Sequence, residues 1–260
     1  MASQPAGVRD LPPGYTEWPA PAGLRHAVAC LWAQVTPDGS RDRDALVLPD
    51  ACSDLIWEQG RGAYVAGPDT GPVSTVMKAG TVVLGVRFRP SAGGPVLGLP
   101  LSELRDQRVD LDDLRRGDAK RLPGTLDPDT AAIRSLELAA ALVADGDPDP
   151  AAARAAVLLA DPRARAEDVA ADVGLSMRQL RRRCQMVVGY GPKTLQRVLR
   201  FRRFVARLDA GPPSGQDAHD LATLAAQAGY ADQAHLTREC RALAGLTPAA
   251  LARQRGPAAG

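Results

Sequence analysis

The sequence predicts an α+β chain, with a β-rich barrel or sandwich in its first half and an all-α domain in its second. Three observations predict this. Six short apolar runs separated by turn residues fall between His26 and Phe88. After Pro150 the chain turns to alanine, leucine and arginine at helical spacing. Within that helical half, the stretch VAADVGLSMRQLRRRCQMVVGYGP is echoed about 56 residues later.

Residues 1–24 are rich in proline and glycine and are expected to form an irregular arm. A β-rich domain over 25–144 follows. Its runs HAVACLWAQV, ALVLP, SDLIWE, AYVAG, VSTVM and TVVLGVRF have strand length. The segments PDGSRDRD, EQGRG and GPDTGP punctuate them. Short strands with regular turn signals suit a sandwich or barrel. Residues 91–115, around LPLSELRDQRVDLDDLR, read as one or two short helices, 116–130 as a loop, about 130–144 as a helix, and DGDPDP at 145–150 as a linker. The domain 151–255 then reads as helices at 151–160, 166–173, 176–188, 193–209, 220–228, 232–243 and 247–253.

Composition narrows the function classes. The length of 260 residues suits two domains, and 45% apolar residues suffice for their cores. No run of 18 apolar residues occurs, so no membrane span is expected. The N-terminus MASQPAGVRDLPPGY has neither a basic nor an apolar leader segment, so a cytoplasmic location is expected. Cys30, Cys52, Cys184 and Cys240 are widely spaced and form no CxxC pair. No metal, no cofactor and no disulfide is therefore expected.

The net charge of +2 hides an asymmetry. Residues 161–260 carry 16 basic against 9 acidic residues, and between Val173 and Leu208 there are ten basic residues and no acid. That is the footprint of a polyanion partner. Arginine far outnumbers lysine, as a GC-rich genome alone would produce, so the missing acids weigh more than the abundant arginines.

The repeat gives this charge a geometry. Leu180, Cys184, Gly189 and Pro192 match Leu236, Cys240, Gly245 and Pro248 at one offset of 56, while Gly174 matches Gly229 at 55. The chain thus contains a duplicated helix-turn-helix unit: HTH1 over about 166–188, a linker helix at 193–209, and HTH2 over about 220–243. Glycine ends the first helix of each unit, and Ser176 and Asp232 stand where the second needs an N-cap. Leu180 and Cys184 lie one turn apart and should face the core, with Val187 behind them. At 100° per residue, Arg178, Arg182 and Gln185 then point the opposite way, flanked by Arg181. Arg183 and Gln179 lie toward the other side.

These residues resemble the AraC/XylS family of transcriptional regulators over about 150–254. GYGPKTLQRVLRFRRFVARL resembles the join between two family subdomains, and LATLAAQAGYADQAHLTRECRALAGLTPAAL the second helix-turn-helix. Cys184 and Cys240 depart from the pattern, standing where the family usually has phenylalanine. The N-terminal LPDACSDLIW, VAGPDTGP and GVRFRP resemble a domain found fused to such regulators in actinobacteria. The resemblance implies a β-rich, cupin-like domain followed by two three-helix subdomains joined by one long helix.

It also implies double-stranded DNA, operator or promoter, as partner. A seventeen-residue linker spans roughly 26 Å, and with the subdomains' own width can set two helices about one DNA turn, roughly 34 Å, apart. Base-contact positions would be Arg178, Arg181, Arg182 and Gln185 in the first unit and Gln233, Thr237 and Arg238 in the second. Ser176, Arg183, Lys193, Arg197, Arg200, Arg203 and His235 are the phosphate-contact candidates, with Arg202 beside them. Arginine favours guanine through its O6 and N7. By analogy the N-terminal domain senses a small-molecule effector, forms a homodimer, or both. RNA polymerase becomes a partner if the protein activates.

Competing readings are bland or enzymatic. His235 sits beside Leu236 and could pack against the turn. Trp32, Trp57 and Tyr64 could line a ligand pocket or simply fill the core. Asp50, Asp54, Asp69 and Glu58 neighbour Pro and Gly as turn-formers do, so no enzyme and no catalytic residue is expected. The alternative is a bifunctional protein with an N-terminal enzymatic or repair module. It requires a clustered metal-cysteine site, and only Cys30 and Cys52 precede residue 180.

Overall fold

The computed structural model describes residues 10–116, 149–211 and 220–255. The chain is α+β, as its sequence predicts. All six expected strands form: β2 (Val28–Val35), β3 (Arg43–Val47), β4 (Ser53–Glu58), β5 (Gly62–Ala66), β6 (Val73–Met77) and β7 (Val82–Phe88). Two more were not expected. The supposedly irregular arm contains β1 (Gly14–Pro19), and the supposedly helical 91–115 contains β8 (Arg108–Asp110) between α1 (Gly93–Leu97), a 3-10 turn (Leu101–Glu103) and α2 (Leu111–Arg116). The helix expected near 130–144 lies outside the described residues.

The strands form a six-stranded antiparallel sheet in the order β1-β2-β7-β4-β5-β8, with β3 and β6 as a separate antiparallel pair. Alternation of side chains gives the large sheet two different faces. One carries Leu31, Leu55, Val65, Leu84, Val86 and Phe88, packed under Val96, Leu97, Leu101 and Leu104. The other carries a smaller cluster of Cys30, Trp32, Ile56, Tyr64 and Ala66. Trp57 packs with the first face. It therefore cannot share a pocket with Trp32 and Tyr64, because its neighbour Ile56 holds the place beside them. A Cβ on Gly85 would sit 2.2 Å from the Trp32 ring, so only glycine fits opposite this indole.

The helical half has α3 (Pro150–Leu159), α4 (Ala166–Asp172), α5 (Met177–Val188), α6 (Pro192–Asp209), α7 (Leu221–Ala228), α8 (Gln233–Ala244) and α9 (Pro248–Arg255). Helices α3–α5 form one unit and α7–α9 the other, and α6 joins them. Leu195, Val198, Phe201, Phe204 and Leu208 make one buried stripe along α6, and this stripe runs into the cores of both units. Phe201 and Phe204 are fully buried. Each contributes about 2–3 kcal/mol by removal from water.

The two halves meet in a close seam. Ala51, from the loop after β3, is buried in the helical core. Helix α1 and the 3-10 turn pack against the C-terminal part of α5. There a Cβ on Gly94 would lie 2.6 Å from the Met186 carbonyl oxygen. One on Gly189, whose φ is +91°, would lie 2.5 Å from Pro68 and 3.0 Å from the Leu101 carbonyl oxygen. Glycine at 189 thus serves twice, as the left-handed end of α5 and as the point where the other domain comes closest.

Candidate nucleic-acid interface

Helices α5 and α8 occupy the same place in the two units. Each begins at the expected cap. Ser176 Oγ accepts from the Gln179 amide while Gln179 Oε1 accepts from the Ser176 amide at 2.8 Å, a reciprocal capping box. Asp232 accepts from the His235 amide at 2.6 Å. Each helix follows a glycine with positive φ, Gly174 at 69° and Gly229 at 91°. Each is anchored by the expected leucine and cysteine, Leu180 with Cys184 and Leu236 with Cys240, all buried. Burial pushes the Cys184 and Cys240 thiols up to about 11. They are packing groups in their neutral form.

With these anchors inward, Arg178, Arg181 and Arg182 are exposed on α5 and Gln185 is half-buried. On α8, Gln233 and Arg238 are exposed and Thr237 is half-buried. The Thr237 hydroxyl donates back to the Gln233 carbonyl at 2.8 Å. Among the described residues no hydrogen bond or ion pair within the chain engages the side chains of Arg178, Arg181, Arg182, Lys193 or Arg238.

Several of the other phosphate-contact candidates make contacts within the chain. Arg183 donates to both carboxylate oxygens of Asp149 at 2.8 and 2.9 Å, and Asp149 also caps α3. Arg197 pairs with Glu239 at 2.5 Å, tying α6 to α8. Arg203 donates to the Ala228 carbonyl at 3.1 Å and to the Ala160 carbonyl, so it bridges the C-terminal ends of α7 and α3. A cation suits both sites, because helix C-termini carry unpaired carbonyls and partial negative charge. Arg200 lies 5.7 Å from the Tyr230 ring centre. His235 stands edge-on to Tyr230 at 5.2 Å, and its Nδ1 accepts from the Ala231 amide at 3.4 Å. Packing against the turn is thus what His235 does here, and Ser176 Oγ is occupied by its cap. Arg202 remains exposed while donating to the Asp50 carbonyl at 3.4 Å across the seam.

Of the N-terminal candidates, Trp32 belongs to a polar network that the sequence did not reveal. Trp32 Nε1 donates to Asp54 at 2.7 Å, and Arg87 Nε donates to the same oxygen at 3.1 Å. Arg87 Nη1 reaches the Tyr15 hydroxyl at 3.3 Å, and that hydroxyl donates to Glu17 at 2.6 Å. Burial pushes the Asp54 carboxyl up to about 6 against the opposing pull of Arg87. Tyr64 lies under the Arg61 guanidinium at 3.7 Å. Among the described residues no group of three His, Cys, Asp or Glu side chains could hold a metal. No described helix is long and apolar enough to cross a membrane.

Comparison with known proteins agrees with this division. The family model of a domain of unknown function matches residues 16–110, and that of a helix-turn-helix domain matches residues 152–254. No curated protein matches the chain. Solved structures similar to it include ToxT from Vibrio cholerae O395, at 9% identity and a TM-score of 0.46, covering 87% of this chain and 98% of that one. Another is unsaturated fatty acid-bound wild-type ToxT from Vibrio cholerae strain SCE256, at 10% identity and a TM-score of 0.40, covering 92% and 93%. With its duplicated, similarly capped units joined by α6, the helical half thus carries a helix-turn-helix domain, and a domain of unknown function stands in front of it.

Proposed function

We propose that the protein is a sequence-specific transcriptional regulator that lays α5 and α8 into two successive major-groove segments of one DNA duplex. The observation that carries this is the exposed, acid-free ridge of Arg178, Arg181 and Arg182 on a helix whose fold and caps recur in α8. Arginines on α5 donate bidentately to guanine, each discriminating by about 1–3 kcal/mol. Gln185 extends that set. Gln233, Thr237 and Arg238 read the second segment, with Gln233 suited to adenine. Lys193, and Arg200 and Arg202 where their present contacts yield, add phosphate contacts that supply affinity without sequence information.

The N-terminal domain adjusts this binding in response to a small polar effector on the sheet face that bears Trp32, Tyr64, Arg87 and Asp54. That face combines aromatic surface with fixed charge, and the loop next to it, Asp50–Cys52, touches α6 through Arg202. The test is footprinting on the gene's own upstream DNA with a salt titration. Two protected segments about one helical turn apart, with affinity falling steeply as salt rises, are expected. Absent or salt-independent binding overturns the proposal.

A further inference from the structure

The exposed ridge of α5 does not end at the boundary of the helical domain. A cleft of about 630 Å³ lies between α5, the start of α6 and the loop Leu104–Gln107 of the N-terminal domain. Its walls include Arg178, Arg181 and Gln185 from α5, Lys193 and Thr194 from α6, and Arg105 from the N-terminal domain. Among the described residues no acidic one lines it. Four basic residues from two domains thus border one space, with Met177, Tyr190 and Pro192 between them.

Arg105 is held there by its backbone. Leu104 is buried, the Asp106 amide donates to the Pro68 carbonyl at 3.2 Å, and the Gly67 amide donates to the Gln107 carbonyl at 3.0 Å. The same Pro68 and Leu101 press on Gly189 at the end of α5, so the loop's position is tied to that helix. The Arg105 side chain is half exposed, and its nearest carboxylate is Asp106 at 4.0 Å. Asp106 is itself occupied by the Thr70 amide and hydroxyl, at 2.6 and 2.9 Å. The only ion pair of Arg105 among the described residues is thus long and exposed, and its guanidinium stays open to a closer anionic partner.

We infer that Arg105 contacts a phosphate of the DNA strand flanking the groove that α5 enters, so that the domain of unknown function forms part of the DNA-binding surface. This rests on the proposed major-groove docking of α5. A helix in the groove has a phosphate backbone on each side, and the cleft runs beside the outward ridge of α5. The backbone on that side then passes between Lys193 and Arg105. Moving the N-terminal domain would move one phosphate contact with it, which gives that domain a direct hold on affinity.

The experiment compares full-length wild type, R105A, R105K and K78A, the last removing one charge from the end of the β3–β6 pair. Binding to a duplex carrying the footprinted sequence, and to an unrelated duplex, is measured across a salt series. R105A is expected to lower the slope of log affinity against log salt by about 0.9 and to weaken both duplexes alike, roughly eightfold at 0.1 M salt. R105K should restore most of this, and K78A should match wild type. Matching thermal melts confirm that all four proteins are folded. If wild type binds with a steep salt slope while R105A matches it, Arg105 does not touch DNA and this inference fails alone. If R105A alters base preference, it acts through α5 and the inference fails as well. If wild type does not bind, the proposed function falls with it.

Discussion

Replacing Arg203 with alanine separates a structural arginine from a DNA-contacting one. Arg203 projects from α6 and donates to the Ala228 carbonyl at the end of α7 and to the Ala160 carbonyl at the end of α3. It thereby fixes the angle between the two helix-turn-helix units. Hydrogen bonds to a charged group contribute about 1.5–3 kcal/mol each. The side chain is half exposed, so water reclaims part of both carbonyls in the variant. A loss of about 2–3 kcal/mol follows, which in a chain of this size lowers Tm by roughly 4–12 °C. R203K should recover only part, because one ammonium cannot fork between two carbonyls as a guanidinium does. The assays are thermal unfolding and binding to duplexes carrying one or both half-sites. R203A should bind a single half-site nearly as wild type does and lose affinity on the double site, with an unchanged salt slope. An unchanged Tm with a slope reduced by about 0.9 would show that Arg203 holds a phosphate, and would refute the reasoning.

Three further outcomes follow from the packing. G94A places a Cβ 2.6 Å from a backbone oxygen and 3.1 Å from a backbone carbon of α5, neither of which can rotate away. It should destabilise by about 1–3 kcal/mol and speed proteolysis between the domains; a wild-type melt and cleavage pattern would contradict the seam. The four cysteines are buried, and burial pushes the Cys30 thiol up to about 12 and that of Cys52 well above its usual range. A thiol reagent at pH 8 should find almost none until the chain is unfolded, and rapid native labelling would contradict their burial. Asp54, pushed up to about 6 by burial, holds its proton in the folded chain at pH values where the unfolded chain has lost it. Its contribution to stability is complete below about pH 4 and disappears as pH rises through 6. Relative to D54N, wild type should therefore lose stability between pH 4 and 7, and parallel pH profiles would contradict this.

How legible each feature was in the sequence depended on whether its cause was local. The second helices of both units begin and end within a residue of expectation because their caps are written in the chain: Ser176 and Asp232 before, Gly189 and Gly245 after. Six strands were legible from their turn residues. β1 was missed because Pro12, Pro13 and Pro19 mask the alternation of Tyr15 and Glu17 with Thr16 and Trp18, and β8 because three residues carry no period. Which aromatic shares a face with which was illegible, since it depends on the pairing of Trp32 and Ile56 through Gly85. That pairing is a register between strands far apart in the chain. The arginines show the same limit. Projection on a helix placed Arg178 and Arg182 outward. The partners that hold Arg183 and Arg197, Asp149 and Glu239, come from other helices, and those of Arg203 are backbone carbonyls with no residue signature at all. Arg105 carried no signal either, because only the seam brings it beside α5.

The most direct measurement is selection of binding duplexes from a randomised pool by wild type, R182A and R238A. Wild type should enrich two short segments about 10 base pairs apart, with guanine prominent in the one read by α5. R182A should relax preference in that segment only, and R238A in the other only. If all three proteins enrich the same single segment, or if both substitutions weaken binding without changing any base preference, α5 and α8 do not read DNA in tandem.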